Sequence, residues 1–265
     1  MKEILITGGN GFLAKEIKSN LENIYKIYAP ARNELNLLDK KSIKIFFDKK
    51  YFDVVIHTAV VGGSKDKPDT STVFYDNLKM FFNLLEYKSK FDKLLNLASG
   101  ASYDRSNNIN GDRDIQDSNP DDYYGFSKNI IERTICTLSG MYNLRIFNIF
   151  SDNEKETRFI KTCKNNIKLN NSIIIDNDRY FDFFHVNDFV KVIKFYIDNE
   201  VGLEKDVDIC YKNKYKLSDI ANIMIKNSGS MVKVVINGES NCNYIGDYKK
   251  LYNYGLKFDF DILVI

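Results

Sequence analysis

Residues 3–14, with the sequence EILITGGNGFLA, decide the fold of this chain. The run Glu3–Thr7 is apolar and predicts a buried strand, and Phe12–Asn23 carries apolar residues at helical spacing. Between these two segments, the spacing GxxGxxA is formed by Gly8, Gly11 and Ala14. Such a turn lets the backbone approach a pyrophosphate, which the N–H groups at the start of the helix then bind. Glycine-rich segments also form ordinary turns, but the position between strand and helix predicts a dinucleotide site.

Downstream of this motif, short apolar runs alternate with longer amphipathic segments. Predicted strands cover residues 26–29, 53–57, 93–98 and 143–148, and predicted helices cover residues 41–50, 70–88 and 122–139. This alternation is typical of a parallel sheet with helices on both faces. We therefore predict an α/β fold, namely a Rossmann-type doubly wound parallel sheet with a small C-terminal substrate-binding cap. Ligands of such a sheet bind at the carboxyl ends of its strands.

The segment after the second predicted strand indicates which dinucleotide is preferred. An acid there hydrogen-bonds the ribose hydroxyl of NAD, whereas an arginine favours the 2′-phosphate of NADP. Residues 28–33 contain Arg32 and no acid. We expect NADPH as the cofactor and NADH to be less suitable; the alternative is an arginine that is merely solvated on a surface loop.

The pattern loosens after residue 148, where we predict a helix over 151–171, strands over 172–176 and 181–185, and a helix over 187–199. We predict that residues 1–150, together with about 181–210, form the NADP-binding Rossmann domain. Residues 151–180 and 211–265 are then expected to form the small substrate-binding cap.

Two Tyr-x-x-x-Lys pairs occur in the chain, and a sequence this rich in both residue types would contain about as many by chance. Tyr124 and Lys128 begin the helix after the fourth strand, which ends at Ser99. On one helix face the ammonium lowers the pKa of the phenol, and hydroxyls from Ser99 and Tyr124 can polarise a carbonyl. Tyr75 and Lys79 have no such partner, so we assign them to a solvated helix face.

Together, these features resemble the extended short-chain dehydrogenase/reductase family over roughly residues 1–200. Two stretches, 31–39 (ARNELNLLD) and 57–63 (HTAVVGG), are more specifically similar to the GDP-L-fucose synthases. Asn77 stands where those enzymes carry a helical Asn, Asn148 falls in a segment similar to their Arg-x-x-Asn strand end, and residues 185–188 (HVND) are similar to their HVDD motif.

The resemblance implies a role for each matching residue. Ser99 is the donor to the substrate carbonyl, Tyr124 the acid, and Lys128 the partner of Tyr124 and of the nicotinamide ribose. The implied cofactor-binding residues are Gly8, Asn10, Gly11, Phe12, Leu13, Arg32, Leu38, Ala59, Val61, Asn77 and Lys128. The implied substrate-binding residues are Gly62, Gly63, Ser99, Ala101, Asn148, Arg158 and Arg179.

The departures from the family pattern restrict the chemistry. GDP-L-fucose synthases epimerise C3 and C5 with a Cys two residues after the serine and a His after the fifth strand. Here these positions are Ala101 and the neighbourhood of Arg158, and no His lies between His57 and His185. The family arginine four residues before His185 is Phe181, although Arg179 is close. Sugar dehydratases carry an acidic pair after the serine, where this chain has Gly100 and Ala101.

We therefore predict an NADPH-dependent oxidoreductase that reduces the C4 keto group of a nucleotide-linked 4-keto-6-deoxy sugar, hexose or heptose, without C3/C5 epimerisation. The resemblance points to a GDP-linked substrate and to surface-polysaccharide sugar biosynthesis. The alternatives are a nucleotide-sugar 4-epimerase with bound NAD, and a non-catalytic NADP(H)-binding protein of the same fold.

Composition excludes several other classes of protein. A formal net charge of +2 gives no reason to expect a nucleic-acid or membrane partner. The N-terminus lacks the apolar core of a signal peptide, and the four widely spaced cysteines indicate neither a disulfide framework nor a metal site. We expect a cytoplasmic protein and, from the resemblance, a homodimer.

Overall fold

The computed structural model describes residues 1–64, 67–111, 114–240 and 242–260 of the 265-residue chain, so the end of the predicted cap, 261–265, lies outside the described residues. The first part of the chain alternates strands and helices as predicted. Its elements are β1 (Glu3–Thr7), α1 (Phe12–Leu21), β2 (Lys26–Tyr28), α2 (Lys40–Phe47), β3 (Phe52–His57), α3 (Ser71–Leu85), β4 (Phe91–Ser99), α4 (Tyr123–Cys136) and β5 (Met141–Ile146).

The second part of the chain departs more from the sequence prediction. Its elements are β6 (Ile149–Phe150), α5 (Phe159–Lys168), β7 (Ile173–Ile175), β8 (Phe184–His185), α6 (Val186–Asp198), β9 (Asp206–Ile209), α7 (Leu217–Ser228), β10 (Val234–Ile236) and α8 (Lys249–Tyr252). The helix predicted over 151–171 was too long at its start. Helix α5 begins at Phe159 because Arg158 is extended, and the Glu154 carboxylate accepts the Lys161 N–H at 3.2 Å. The strand predicted over 181–185 is reduced to two residues, and β9 was not predicted.

The central sheet has six strands in the order β2-β1-β3-β4-β5-β9. The pairings of β1 with β2, of β1 with β3 and of β3 with β4 are parallel, and Thr7 lies opposite His57. The strand order reverses between β1 and β3, because the chain passes from β2 back across β1. In doubly wound sheets the carboxyl ends of strands at such a reversal form the crevice that binds ligands.

Apolar side chains hold the helices against the sheet. Leu5 of β1 and Val55 of β3 are fully buried in one cluster with Phe47 of α2, Leu84 of α3 and Ile131 of α4. This cluster fixes the ends of the strands relative to the helices that follow them. Within the described part of the chain, no helix is both long enough and apolar enough to cross a membrane.

The chain divides into two compact units. The first comprises Met1–Asp104, Arg113–Arg145 and Val192–Val207, and the second comprises Arg105–Asp112, Ile146–Lys191 and Asp208–Ile265. The second unit has its own apolar cluster, which includes Phe150, Ile160 and Met224. These boundaries differ from the predicted domains, since residues 181–191 belong to the second unit. Which unit binds cofactor and which binds substrate stays a prediction.

Candidate active site

The glycine loop joins β1 to α1 at the strand reversal. Gly8 has a positive φ of +68°, and a Cβ there would lie 2.9 Å from the Cα of Ala59. A Cβ on Gly9 would lie 2.1 Å from the carbonyl oxygen of Ala29. Gly11 is the N-cap of α1 and offers no side chain to its first N–H groups. The loop therefore needs glycine, and the predicted residues Asn10, Phe12 and Leu13 lie on it or in the first turn of α1.

A threonine hydroxyl ties the ends of β1 and β3 together. Thr7 Oγ1 lies 3.0 Å from His57 Nδ1 and accepts the N–H groups of Thr58 and Ala59, each at 3.2 Å. His57 is fully buried, and burial, aided by the charge of Lys128, lowers its pKa to about 3. A neutral His57 therefore acts as a structural partner that fixes the start of the loop after β3.

The predicted selector of the cofactor, Arg32, is exposed on the segment after β2. This segment is anchored at Pro30, whose carbonyl accepts the Gly9 N–H at 3.1 Å, and at Ala31, whose N–H is accepted by the Glu34 carboxylate at 2.7 Å. Leu38 is half-buried and donates its N–H to Asn36 Oδ1 at 3.1 Å. The segment thus lies next to the glycine loop and carries an exposed guanidinium.

The loop after β3 is held by Asn77 of α3. The Asn77 side chain accepts the Val61 N–H at 2.9 Å and donates to the Val61 carbonyl at 3.0 Å. The same amide donates to Ser127 Oγ on α4 at 3.1 Å. Asn77 is 2% exposed, and its hydrogen bonds fix the predicted cofactor residue Val61 relative to α4.

Two glycines bring this loop against the predicted catalytic tyrosine. Gly62 and Gly63 have φ values of +80° and +71°. A Cβ on Gly63 would lie 2.8 Å from the ring carbons Cε2 and Cζ of Tyr124. Asp69 holds the loop in this conformation by accepting the Gly63 N–H at 3.0 Å. The backbone of residue 63 therefore forms one wall of the site around Tyr124.

Helix α4 begins beside the short turn Gly100–Ser102, which follows β4 and is called the Ser99 turn below. Asp122 caps the helix by accepting the Gly125 N–H at 2.7 Å, and a Cβ on Gly125 would lie 2.4 Å from the Ala101 carbonyl oxygen. Ser99 caps that turn, and its Oγ accepts the Ala101 N–H at 3.2 Å. The contact places the first turn of α4, which carries Tyr124, against the turn that Ser99 caps. By contrast, Tyr75 of the other pair is 61% exposed.

Lys128 lies in the interior behind Tyr124. Its ammonium donates to the Leu97 carbonyl at 2.9 Å and lies 6.0 Å from the centroid of the Tyr124 ring. Burial lowers the pKa of Lys128 to about 8, although the Glu132 carboxylate raises it. A buried cation beside a phenol stabilises the phenolate, so this pair can transfer a proton near neutral pH.

Three predicted substrate residues belong to the second compact unit. Arg158 donates to Asn148 Oδ1 and to the Ile149 carbonyl, and it pairs with the Glu154 carboxylate at 3.2 Å. Asn148 and Arg158 are thus brought together, with the guanidinium engaged within the unit. Arg179 donates to the Cys242 carbonyl at 3.3 Å.

Comparison with known proteins identifies the family. Residues 4–210 match the NAD dependent epimerase/dehydratase family. The chain belongs to this family. A curated relative, the GDP-L-colitose synthase of Yersinia pseudotuberculosis, is 33% identical over 106 residues, which are 38% of this chain and 34% of that protein. The match therefore spans about a third of the length of this relative.

Solved structures show the same fold over almost the whole chain. A GDP-mannoheptose C4 reductase from Campylobacter jejuni with NADP bound superposes with a TM-score of 0.81 at 18% identity, over 99% of this chain and 95% of that one. The RMD protein of Pseudomonas aeruginosa complexed with NADPH gives a TM-score of 0.83 at 18% identity, over 100% of this chain and 96% of that one. The predicted Rossmann-type fold is confirmed.

In this member of the epimerase/dehydratase family, some residues around the site escaped the sequence prediction. Gly9 occupied a variable position of the glycine motif, and only its contact with the backbone after β2 reveals that glycine is needed. Glu132 accepts the Ser99 N–H at 3.1 Å from 33 positions away. Glu132 lies one helical turn after Lys128 and so on the same face of α4, which is the signal in the sequence that could have indicated its place near the site. Arg179 lies over the Phe181 ring, 5.4 Å from its centroid.

Proposed function

We propose that this protein is an NADPH-dependent C4-keto reductase of a nucleotide-linked 4-keto-6-deoxy sugar, a hexose or heptose that is GDP-linked, and that it acts without C3/C5 epimerisation. The observation that carries the proposal is the position of Tyr124 and Lys128 beside the Ser99 turn, in the same unit as the glycine loop. Membership of the epimerase/dehydratase family supports this chemistry.

The cofactor proposal is supported by the fit of the loops at the strand reversal. The uncapped start of α1 offers N–H groups to a pyrophosphate, and the crowding at Gly8 and Gly9 keeps side chains out of the loop. Arg32 would pair with a 2′-phosphate, and Lys128 would bond the nicotinamide ribose. When bound, NADPH would supply the hydride. Solved structures with NADP or NADPH bound share this fold.

The residues of the chain would supply polarisation and the proton. The hydroxyl of Ser99 already accepts the Ala101 N–H, which leaves its own proton to be donated to the substrate carbonyl. Tyr124 donates a second hydrogen bond to the same oxygen and transfers its proton as the alkoxide forms. The Lys128 ammonium stabilises the resulting phenolate until solvent returns the proton.

The absence of epimerisation is proposed from the residue two positions after Ser99. Ala101 is 2% exposed and has no titratable group, so it cannot exchange a proton at C3 or C5. Arg158, near the position of the second family residue, is engaged with Asn148 and Glu154. Neither side chain can act as the acid or base that epimerisation requires.

The substrate class is proposed from the relatives. Both curated relatives are named as synthases of GDP-linked sugars, and they are matched over 34% of their length. The neighbour from Campylobacter jejuni is named as a GDP-mannoheptose C4 reductase. We assign the six residues Gly62, Gly63, Ala101, Asn148, Arg158 and Arg179, together with Ser99, to substrate binding. Surface-polysaccharide sugar biosynthesis in the cytoplasm is the setting that this substrate implies.

A homodimer through α3 and α4 remains part of the proposal. Phe82 of α3 and Phe126 of α4 are 41% and 40% exposed, and Tyr75 and Tyr123 are exposed on the same helices. Phe74 and Phe126 stack with ring centroids 5.3 Å apart, so the two helices present aromatic side chains together. Such exposed apolar surface favours association. Sedimentation of the wild type against a Phe82→Ser, Phe126→Ser variant tests it.

The proposal is tested by mixing the protein with NADPH and a freshly prepared GDP-4-keto-6-deoxy sugar in D2O. Absorbance follows the oxidation of NADPH, and mass spectrometry with NMR locates deuterium in the product. We expect oxidation of NADPH with no deuterium at C3 or C5. The matched control is the dTDP-linked ketosugar, which we expect to react more slowly.

Each other result contradicts a defined part of the proposal. Deuterium at C3 or C5 would show that the chain epimerises despite Ala101. Equal rates with both nucleotides would remove the GDP assignment. No oxidation of NADPH with either compound would contradict the reductase, and NAD retained by the purified protein would then indicate a 4-epimerase.

A further inference from the structure

A network of buried charges lies beneath the Ser99 turn. Glu132 of α4 and Arg145 of β5 are 0% and 2% exposed, and Asp206 of β9 is partly buried. The Arg145 Nη2 lies 2.8 Å from Glu132 Oε2 and 2.6 Å from Asp206 Oδ2. The network therefore joins three elements of the first unit, and one guanidinium pairs with two carboxyl groups.

The second oxygen of Glu132 contacts the predicted catalytic serine. Glu132 Oε1 accepts the backbone N–H of Ser99 at 3.1 Å. Ser102, which closes the same turn, donates its hydroxyl to the Ser99 carbonyl at 2.5 Å. The carboxylate thus holds the start of the turn that sets the direction of the Ser99 side chain, and Ser102 closes the turn onto Ser99.

Stability alone is a weak reason for such a network. Removing two charges from water costs free energy that their attraction only partly returns, so buried ion pairs can often be replaced by apolar residues without loss. A fixed carboxyl acceptor for a single backbone N–H gives direction instead, because the Ser99 N–H must point at an oxygen whose position is set by another contact. Arg145 keeps that acceptor in place by binding its other oxygen through Nε at 3.0 Å.

We propose that Glu132, held by Arg145, is a positioning residue that fixes the Ser99 turn so that the Ser99 hydroxyl donates to the reacting carbonyl. This role rests on the proposed reductase function. Glu132 contacts no reacting atom in this scheme and acts through Ser99. Misplacement of a catalytic group by about 1 Å can lower a rate by about 100-fold, so loss of this contact should be visible in kcat.

The test is a double-mutant cycle of Glu132→Gln and Ser99→Ala, with NADPH and the ketosugar as substrates. Glu132→Gln should lower kcat about 10-fold, change KM less than about 3-fold and leave the affinity for NADPH unchanged. In the Ser99→Ala background the same change should lower kcat less than about 2-fold, because the group that it positions is absent. Glu16→Gln, which removes a buried carboxylate from α1, is the matched control and should leave kcat unchanged.

Hydrogen exchange of the peptide 97–103 gives a readout that does not depend on turnover. Loss of the acceptor in Glu132→Ala should speed exchange of the Ser99 amide by about 10-fold or more relative to the wild type. If Glu132→Gln does not fold, the double change Glu132→Gln, Arg145→Gln replaces it, because it removes both members of the pair.

Equal effects of Glu132→Gln on kcat in the wild-type and Ser99→Ala backgrounds would overturn the proposal, as would unchanged exchange of the peptide in Glu132→Ala. Failure of the proposed function would look different. The wild type would then oxidise no NADPH with any ketosugar, while the exchange experiment would still decide whether Glu132 holds the Ser99 turn.

Discussion

Substitution of Gly63 by alanine tests whether the site is built around Tyr124. Gly63 has a φ of +71°, and a Cβ there would lie 2.8 Å from two carbons of the Tyr124 ring. Ordinary contact begins near 3.4 Å, so the loop and the ring must separate by about 0.6 Å. Asp69 holds the Gly63 N–H, and Tyr124 is fixed on the first turn of α4, so neither side moves freely.

Two consequences follow, with different magnitudes. An alanine in the left-handed region costs about 1 kcal/mol of stability, whatever surrounds it. Displacement of the Tyr124 hydroxyl by a large fraction of an ångström should also lower kcat by about 10- to 100-fold, since proton transfer depends steeply on geometry. Steady-state oxidation of NADPH with the ketosugar, at saturating concentrations of both, measures this effect directly.

Gly202 provides the matched control. It has the same φ of +71°, but nothing lies within 4 Å of the Cβ that an alanine would add. Gly202→Ala should therefore lose about 1 kcal/mol of unfolding free energy and keep the kcat of the wild type. If Gly63→Ala retains wild-type kcat, or if both variants lose activity equally, the position of the Tyr124 ring against this loop does not matter for catalysis and the proposed site is wrong.

Three further outcomes are expected. Tyr124→Phe should bind NADPH normally and lose at least about 100-fold in turnover, whereas Tyr75→Phe in the other Tyr-x-x-x-Lys pair should be unchanged; equal kcat values for both variants would reject the assignment. Arg32→Ala should weaken the binding of NADPH, measured by fluorescence titration, at least about 10-fold more than the binding of NADH, because only NADPH carries the 2′-phosphate. An equal loss of affinity for both dinucleotides would exclude Arg32 from that contact. His57 should stay neutral when folded, with a pKa of about 3 against an ordinary 6.5, so the unfolded chain takes up a proton that the folded chain excludes as the pH falls. The free energy of unfolding should therefore fall by about 2 kcal/mol between pH 7 and pH 5 because of this residue. Urea titrations at several pH values should show that His57→Asn lacks this part of the pH dependence.

Much of the first unit could be predicted because its signals are local. An apolar run, a glycine spacing and a helical period each depend on neighbours within about one turn or one strand, and they located β1, α1 and α4 within a few residues. The prediction failed where long-range contacts decide. Strand β9 has only four residues and joins the sheet beside β5, a pairing that no local period reveals.

The sequence by itself determined the family of this protein, the glycine loop and the three residues proposed for catalysis. It could do so because these features depend on the residue spacing within one helix or at the end of one strand. Only the tertiary structure decided what surrounds those residues. The wall that Gly63 forms against Tyr124 and the carboxylate that Glu132 presents to Ser99 join positions 61 and 33 residues apart. Such contacts depend on how helices pack against the sheet, and packing is set by the shapes of many side chains together.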